Sequence, residues 1–240
     1  MVFGLTFGKK KAPTAVVEVS TEPRDEPVLI LYASQRGNGE GHAEKLAAQI
    51  TDQCSVEKIQ RLTKTQAQIT IVPQCMSVDD FLTDHKCQWT RLVILVVSSY
   101  GIGGAPMNGR KFRTLCDGWV QDAKKEQQGS NPALHFLDGL QFALLGLGDS
   151  YYKTYMENPT VTHDALVSKG ATLLVGKGTA KDDTNHPFCA ADATDGPEEQ
   201  HKVMDQWTEE LWPLVANVVI QEPLDESKLK EMQAMTEQSM

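Results

Sequence analysis

The chain of 240 residues has no C-x-x-C pair, and its five cysteines (Cys54, Cys75, Cys87, Cys116 and Cys189) are odd in number and scattered. This spacing supports neither a zinc or iron–sulfur site nor a disulfide framework; it suits reduced thiols and a cytoplasmic location. Long apolar runs are also missing. The longest, Leu92–Val97, is far too short to span a bilayer. Phe3, Leu5 and Phe7 precede Lys9–Lys11, the reverse of a signal peptide's charge order, and position 2 is Val2 rather than the glycine that myristoylation needs. Residues 1–11 therefore read as a loose tail, with an interfacial anchor as the alternative. Basic residues are scarce where acids are dense. Asp182 to Glu226 holds twelve acids against the single Lys202, a balance of −11 within a net charge of −9, which leaves +2 for the rest. Such a surface disfavours nucleic acid and favours a basic protein partner; a merely solvated acidic face is the alternative.

What is present is organised around Val28–Ala48, VLILYASQRGNGEGHAEKLAA. The apolar run Val28–Tyr32 predicts a strand, Ala33–Gly41 a small polar loop with glycines, and the spacing of Ala43, Leu46, Ala47 and Ile50 a helix. A strand that passes through such a loop into a helix gathers unpaired backbone N–H groups and the positive helix end at one point, which suits a phosphate.

Further strands are predicted at Ile69–Gln74, Leu92–Val97, Gln141–Leu147 and Ala171–Val175. Helices are predicted near Ser77–Leu82, with Ser77 as N-cap and Asp80 three residues on, and over Arg110–Ala123, Val161–Lys169 and Glu198–Ile220. The last should bury Val203, Trp207, Leu211, Leu214 and Val218 along one face and kink at Pro213. Residues 1–27 read as a disordered leader, 28–220 as one domain and 221–240 as a flexible tail. Residues 51–68 fit an extension of the first helix plus a loop, 124–136 a surface loop, and 176–197 a glycine-rich, then acidic, connection.

Five buried strands alternating with helices make an α/β protein with a parallel sheet covered on both faces. Two arrangements fit, flavodoxin-like and Rossmann-like. No G-x-G-x-x-G occurs in any of the three strand–helix loops, and no acid ends the second strand to hold a ribose. A mononucleotide is favoured over a dinucleotide.

The loops YASQRGNGE (Tyr32–Glu40), VVSSYGIG (Val96–Gly103) and LLGLGDSYYKTY (Leu144–Tyr155), with WTEELWP (Trp207–Pro213), resemble the FMN-binding domain of diflavin reductases of the NADPH–cytochrome reductase and methionine synthase reductase type. The resemblance covers about residues 28–215. It implies a flavodoxin-like three-layer sandwich with a five-stranded parallel sheet of order 2-1-3-4-5 and FMN at the switch point between strands one and three. Ser34, Gln35, Arg36, Gly37, Asn38 and Gly39 would wrap the phosphate. Ser98, Ser99, Tyr100 and Gly101 would line the ring, with Tyr100 stacked on one face. Leu147, Gly148 and Asp149 would border the ribityl chain and ring edge. Tyr152 would stack on the second face in competition with Tyr151, Tyr155 would support it, and Asp183 or Asp182 would sit near the ribityl chain or rim.

Three positions depart from the family pattern. Arg36 replaces a small hydroxyl residue, and Ile102 and Gly104 stand where a glutamate and an aspartate are usual. Arg36 pairs with the phosphate or points to solvent. The function implied is an electron-transfer flavoprotein that takes electrons from an NADPH/FAD reductase domain or protein and passes them to a basic metalloprotein acceptor. Residues outside the flavin domain have no room for an FAD or NADPH portion, so the chain reads as a lone carrier or as the N-terminal piece of a longer reductase. Alternatives are a flavin-free interaction module on the same fold, or a stand-alone NAD(P)H quinone reductase.

Overall fold

The structure is a computed structural model that describes residues 22–126, 135–175 and 186–240. The expected leader up to residue 21, the surface loop 127–134 and the segment 176–185 lie outside the described residues. Parallel strands β1 (Arg24–Ala33), β2 (Ile69–Ser77), β3 (Leu92–Ser98), β4 (Gln141–Gly148) and β5 (Thr172–Leu173) form one sheet in the order β2-β1-β3-β4-β5, as expected. A further strand, β6 (Cys189–Asp192), also pairs with β4.

Alternation along the central strands makes two cores. Val28 and Ile30 of β1 and Leu92, Ile94 and Val96 of β3 point to the layer formed by α1 (Asn38–Gln53), α2 (Val56–Thr63) and α6 (Pro197–Val219). Their neighbours Leu29, Leu31, Val93, Leu95 and Val97 point to the layer of α3 (Val78–Thr83), α4 (Arg110–Glu126), α5 (Glu157–Ser168) and α7 (Glu226–Gln238). A strand buried on both faces reads as one unbroken apolar run for this reason.

Local chemistry sets the ends of the elements. Ser77 caps α3, its Oγ accepting from the N–H of Asp80 at 3.1 Å, as its position three residues before Asp80 predicts. Asp79 reaches across to α4 and accepts from the N–H of Phe112 at 3.0 Å, beside the helix's first turn.

The structure corrects several expectations. β1 begins at Arg24, four residues before the predicted start, because the charged opening is held by tertiary contacts. Arg24 Nη2 donates to the carbonyls of Val219 (2.8 Å) and Gln221 (2.7 Å) at the end of α6. Pro27 is tolerated because residues 24–27 pair with β2 only, β3 joining at Val28. Residues 51–68 hold a separate helix, α2, that buries Ile59. α5 starts at Glu157, not Val161, since Pro159 in its first turn lacks an N–H that would be unpaired there anyway. In α6 the buried face runs through Met204, Trp207, Thr208, Leu211 and Val215, with Val203 exposed and Leu214 only half-buried, and the helix continues through Pro213. The expected flexible tail is a helix. Asp225 caps α7 by accepting from the N–H of Lys228 at 2.8 Å, Met232 and Thr236 are fully buried, and Trp89 Nε1 donates to Thr236 Oγ1 at 2.9 Å.

The single fifth strand predicted at Ala171–Val175 is two pieces. β5 covers the first half of β4 (Gln141↔Thr172, Phe142↔Leu173), and β6 covers the second half, from Leu145↔Cys189 to Gly148↔Asp192. This split brings a fourth loop to the carboxyl end of the sheet.

Candidate functional site

Loops leaving the carboxyl ends of β1, β3, β4 and β6 surround a cavity of about 420 Å³. It opens where the order of strands reverses between β1 and β3, the usual ligand position in an open α/β sheet. Its volume lies in the range of small-molecule sites.

The first wall is the β1–α1 loop. Gly37, the N-cap of α1, has φ of 90°, a left-handed conformation that glycine adopts without steric cost, and it has no side chain to cap the helix. Ser34 Oγ accepts from the Gly37 N–H at 3.2 Å, and Asn108 Oδ1 accepts from the Ser34 N–H at 3.0 Å. Gly39 packs against the third wall, where a Cβ would lie 3.4 Å from both Leu147 Cδ1 and Ser34 Cβ, at the edge of ordinary contact. Tyr32 Oη donates to Glu40 Oε1 at 2.9 Å, tying the end of β1 to the first turn of α1. Burial and that hydrogen bond push the Tyr32 phenol well above its ordinary pKa, so it remains a donor.

The second wall is a hairpin after β3. Tyr100 and Gly104 exchange both backbone hydrogen bonds, each 2.9 Å, around Gly101, Ile102 and Gly103. Ile102 at its tip is 93% exposed. The hairpin's outer support is polar. Arg113 of α4 donates from Nη1 to the Gly103 carbonyl (3.0 Å) and to Asn158 Oδ1 (3.3 Å), and from Nε to Asp117 Oδ1 (3.0 Å), with Glu157 Oε1 3.5 Å from Nη2. Asn158, buried at the start of α5, donates from Nδ2 to the Ser98 carbonyl at 2.9 Å and from its N–H to Ser99 Oγ at 3.2 Å.

The third and fourth walls are fastened to each other. Asp192, at the end of β6, accepts at Oδ1 from the N–H groups of Ser150 (2.9 Å) and Thr194 (3.0 Å). Thr194 Oγ1 lies 2.9 Å from Asp149 Oδ1. Burial alone would raise the Asp192 pKa, but the hydrogen bonds from Ser150 and Thr194 outweigh it and hold the carboxyl below the usual range. Gln200, in the first turn of α6, donates from Nε2 to the Ala191 carbonyl at 3.0 Å.

Most residues expected at the site meet here. Ser34, Gln35, Arg36, Asn38, Ser98, Ser99, Tyr100, Gly101, Leu147, Gly148, Asp149, Tyr152 and Tyr155 all line the cavity. Gly37 and Gly39 shape the loop without forming part of the cavity wall. Of the two competing tyrosines Tyr152 lines the cavity, while Tyr151 lies outside the wall, 85% exposed, with its ring edge-on to Tyr152 at 6.0 Å between centroids. Asp183 and Asp182 fall outside the described residues. Thr154, Ala193 and Gln200 line the cavity without having been expected there, and Asp192 and Thr194 stand behind them. Among the described residues no cluster of His, Cys, Asp or Glu could hold a metal, and no helix is long and apolar enough to cross a membrane.

The arrangement pairs two chemistries. The start of α1 presents amides to an anion at one end, and two tyrosines from different loops offer flat apolar faces at the other. A planar, phosphorylated ligand matches both.

Comparison with known proteins agrees. The profile of the Flavodoxin family matches residues 30–207. The chain is 28% identical over 178 residues to a bifunctional cytochrome P450/NADPH–P450 reductase 2 of Bacillus subtilis, covering 70% of this chain and 14% of that protein. It is 29% identical over 167 residues to an NADPH-dependent diflavin oxidoreductase 1 of Aspergillus fumigatus (69% of this chain, 22% of that protein). It is 30% identical over 185 residues to the methionine synthase reductase of Homo sapiens (77% and 21%). The chain thus spans less than a quarter of each of these three relatives.

Proposed function

Since this chain belongs to the flavodoxin family, we propose that its cavity binds FMN and that it carries electrons from an NADPH/FAD-dependent reductase to a metalloprotein. The observation that carries this reading is the glycine-capped start of α1 opening into a cavity that Tyr100 and Tyr152 border. The residues fit the group. A loop that needs Gly37 at positive φ and carries no side chain at Gly39 is suited to backbone contact with a phosphate. Ser34, Gln35, Asn38 and the amides around them would hold that dianion, with the Arg36 guanidinium at the mouth as a charge-assisted donor. Tyr100 and Tyr152 would cover the two ring faces and exclude water, Tyr155 would back Tyr152, and Gly148 and Asp149 would border the ribityl chain. FMN supplies the redox chemistry when bound, accepting electrons singly or in pairs and releasing them singly.

The protein's part is to bind, orient and expose. Asp192 and Thr194 hold Asp149 and the loop that bears Tyr152, and Asn158 holds the segment that bears Tyr100. The names of the relatives support this direction of electron flow: one is an NADPH–P450 reductase, one an NADPH-dependent diflavin oxidoreductase and one a reductase of methionine synthase. A partner with a basic face suits the acids carried on α6 and the loop before it.

Titration of the apoprotein with FMN, FAD and riboflavin, followed by flavin fluorescence, tests this reading. FMN should bind at least about tenfold more tightly than riboflavin, the scale of several amide contacts to a dianion. Equal affinities would remove the phosphate loop from the argument. Tyr100→Ala and Tyr152→Ala should each weaken FMN by roughly 1–3 kcal/mol, the scale of a lost aromatic contact.

A further inference from the structure

Arg113 lies outside the cavity wall and yet touches two of the groups that fix the hairpin carrying Tyr100, the Gly103 carbonyl and Asn158. Its guanidinium reaches the Gly103 carbonyl, Asn158, Asp117 and Glu157, which belong to the hairpin, α5 and α4. Its side chain is only 16% exposed. Within the hairpin the sole closure is the mutual pairing of Tyr100 and Gly104, and two of the three residues between them, Gly101 and Gly103, have positive φ. Such a segment has little stiffness of its own. Among the described residues, what holds it from outside is Arg113 at the Gly103 carbonyl and, at its root, Asn158 at Ser98 and Ser99, with the Ser99 N–H bound to the Leu147 carbonyl at 2.9 Å. Arg113 also grips Asn158, so two of these supports meet at one guanidinium. Gly103 is built to this contact, since a Cβ there would fall on the Glu157 carboxylate that flanks the arginine.

We propose that Arg113 is a positioning residue for the ring end of the flavin site: by holding the Gly103 carbonyl and Asn158 it sets the place of Tyr100 and Gly101, and thereby the affinity for the ring. The inference rests on the flavin reading for its ligand, but not for its geometry. An arginine suits the task because its planar fork serves several acceptors in fixed directions, whereas a lysine at this depth would serve fewer.

The test uses the full chain with Arg113→Met and Arg113→Lys. Amide hydrogen exchange on the apoproteins reads the hairpin directly. Tyr100 and Gly104 should exchange at least about tenfold faster in both variants, the effect of one lost charge-assisted hydrogen bond. The amides of β3 should keep their protection. Titration with FMN and with riboflavin reads the consequence. Both should bind about tenfold more weakly to Arg113→Met, with their ratio unchanged, because the hairpin serves the ring and the β1–α1 loop serves the phosphate. The visible band of bound flavin should also change shape. Wild-type exchange at Tyr100 and Gly104 in the variants would overturn the proposal, as would general loss of protection throughout β3. So would a loss confined to FMN, which would place the arginine's influence at the phosphate, and so would full recovery in Arg113→Lys, which would make charge alone sufficient. If the wild-type chain bound neither flavin, the flavin reading would fall, and the exchange experiment would still decide whether Arg113 holds the hairpin.

Discussion

Adjacent glycines in the hairpin should respond in opposite ways to the same methyl group. Gly103 has φ of +82°, and a Cβ there would overlap the Glu157 carboxylate and lie 2.9 Å from Thr154 Cβ. Holding an alanine in the left-handed region costs about 1–2 kcal/mol. Glu157 is half-exposed and can turn away, but doing so gives up its contact with Arg113, an interaction worth roughly 0–1 kcal/mol. Gly103→Ala should therefore destabilise the apoprotein by about 1–3 kcal/mol once the backbone and the ion pair are both counted. Gly104 is outside the positive-φ group, and the nearest atom to a Cβ there is the Tyr100 carbonyl oxygen at 3.6 Å, an ordinary contact. Gly104→Ala should be neutral or stabilise by about 0.4–1 kcal/mol, through the smaller entropy of the unfolded chain. Urea unfolding of the two variants reads the difference, and near 2–4 °C per kcal/mol for a chain of this size a melting curve should separate them by roughly 2–16 °C. Equal losses, or a larger loss at Gly104, would refute the assigned hairpin geometry.

Because Gly104 has room for a side chain, Gly104→Asp is a charge probe free of backbone strain. It should make the potential for the second electron more negative by on the order of 20–40 mV, a screened fraction of the interaction between two like charges, whereas Gly104→Asn should not; spectroelectrochemistry that gave equal shifts would discard the electrostatic account. His42 is buried between α1 and α6, and burial pushes its pKa down to about 4, with Lys45 and His201 acting the same way and Asp205 opposing them. The unfolded imidazole takes its proton near pH 6.5 and the folded one resists until about pH 4, so stability should be lost as pH falls through that interval, by up to roughly 3 kcal/mol. Thr208 Oγ1 donates to the Met204 carbonyl at 2.8 Å and so accepts from His42 Nε2 at 3.1 Å; His42→Gln keeps a donor there and should flatten this acid limb in urea titrations run between pH 4 and 7. Thr236→Val should cost about 1–3 kcal/mol by leaving the buried Trp89 indole N–H without its acceptor, and an unchanged midpoint would mean that this hydrogen bond contributes nothing to the fold.

The sheet was legible where strands are central. Val28–Tyr32 and Leu92–Val97 are apolar throughout because helices cover both faces, and such runs announce themselves without any partner being known. The N-cap at Ser77 was legible for a similar reason: its hydrogen bond closes within three residues. Arg24 and α7 were not, because each is ordered by residues far along the chain. Arg24 belongs to a charged, proline-bearing opening until the end of α6 supplies carbonyls for it 195 and 197 residues on. α7 has a mixed sequence, ESKLKEMQAMTEQ, whose one sign of burial is the spacing of Leu229, Met232, Met235 and Thr236.

The fourth wall of the cavity was the hardest part to read, and the reason lies in strand length. The four residues of β6 are too few for a periodic signal, and they follow a stretch whose glycines and acids suggest a connection. The deciding clue was in β4. Gln141–Gly148 is buried almost from end to end, so its second half needs a neighbour on the side away from β3, and a fifth strand as short as β5 cannot reach it. Asking which segment could pair with Leu145–Gly148 leads to CAAD, the small and apolar run that follows the acidic pair at 182 and 183. An aspartate at the end of that run stands beside Gly148 by register alone, since Gly148 faces Asp192. An acid behind the fourth wall was therefore findable at Asp192 by the pairing demands of a strand already identified, whereas the acids that the resemblance names, Asp183 or Asp182, lie outside the described residues.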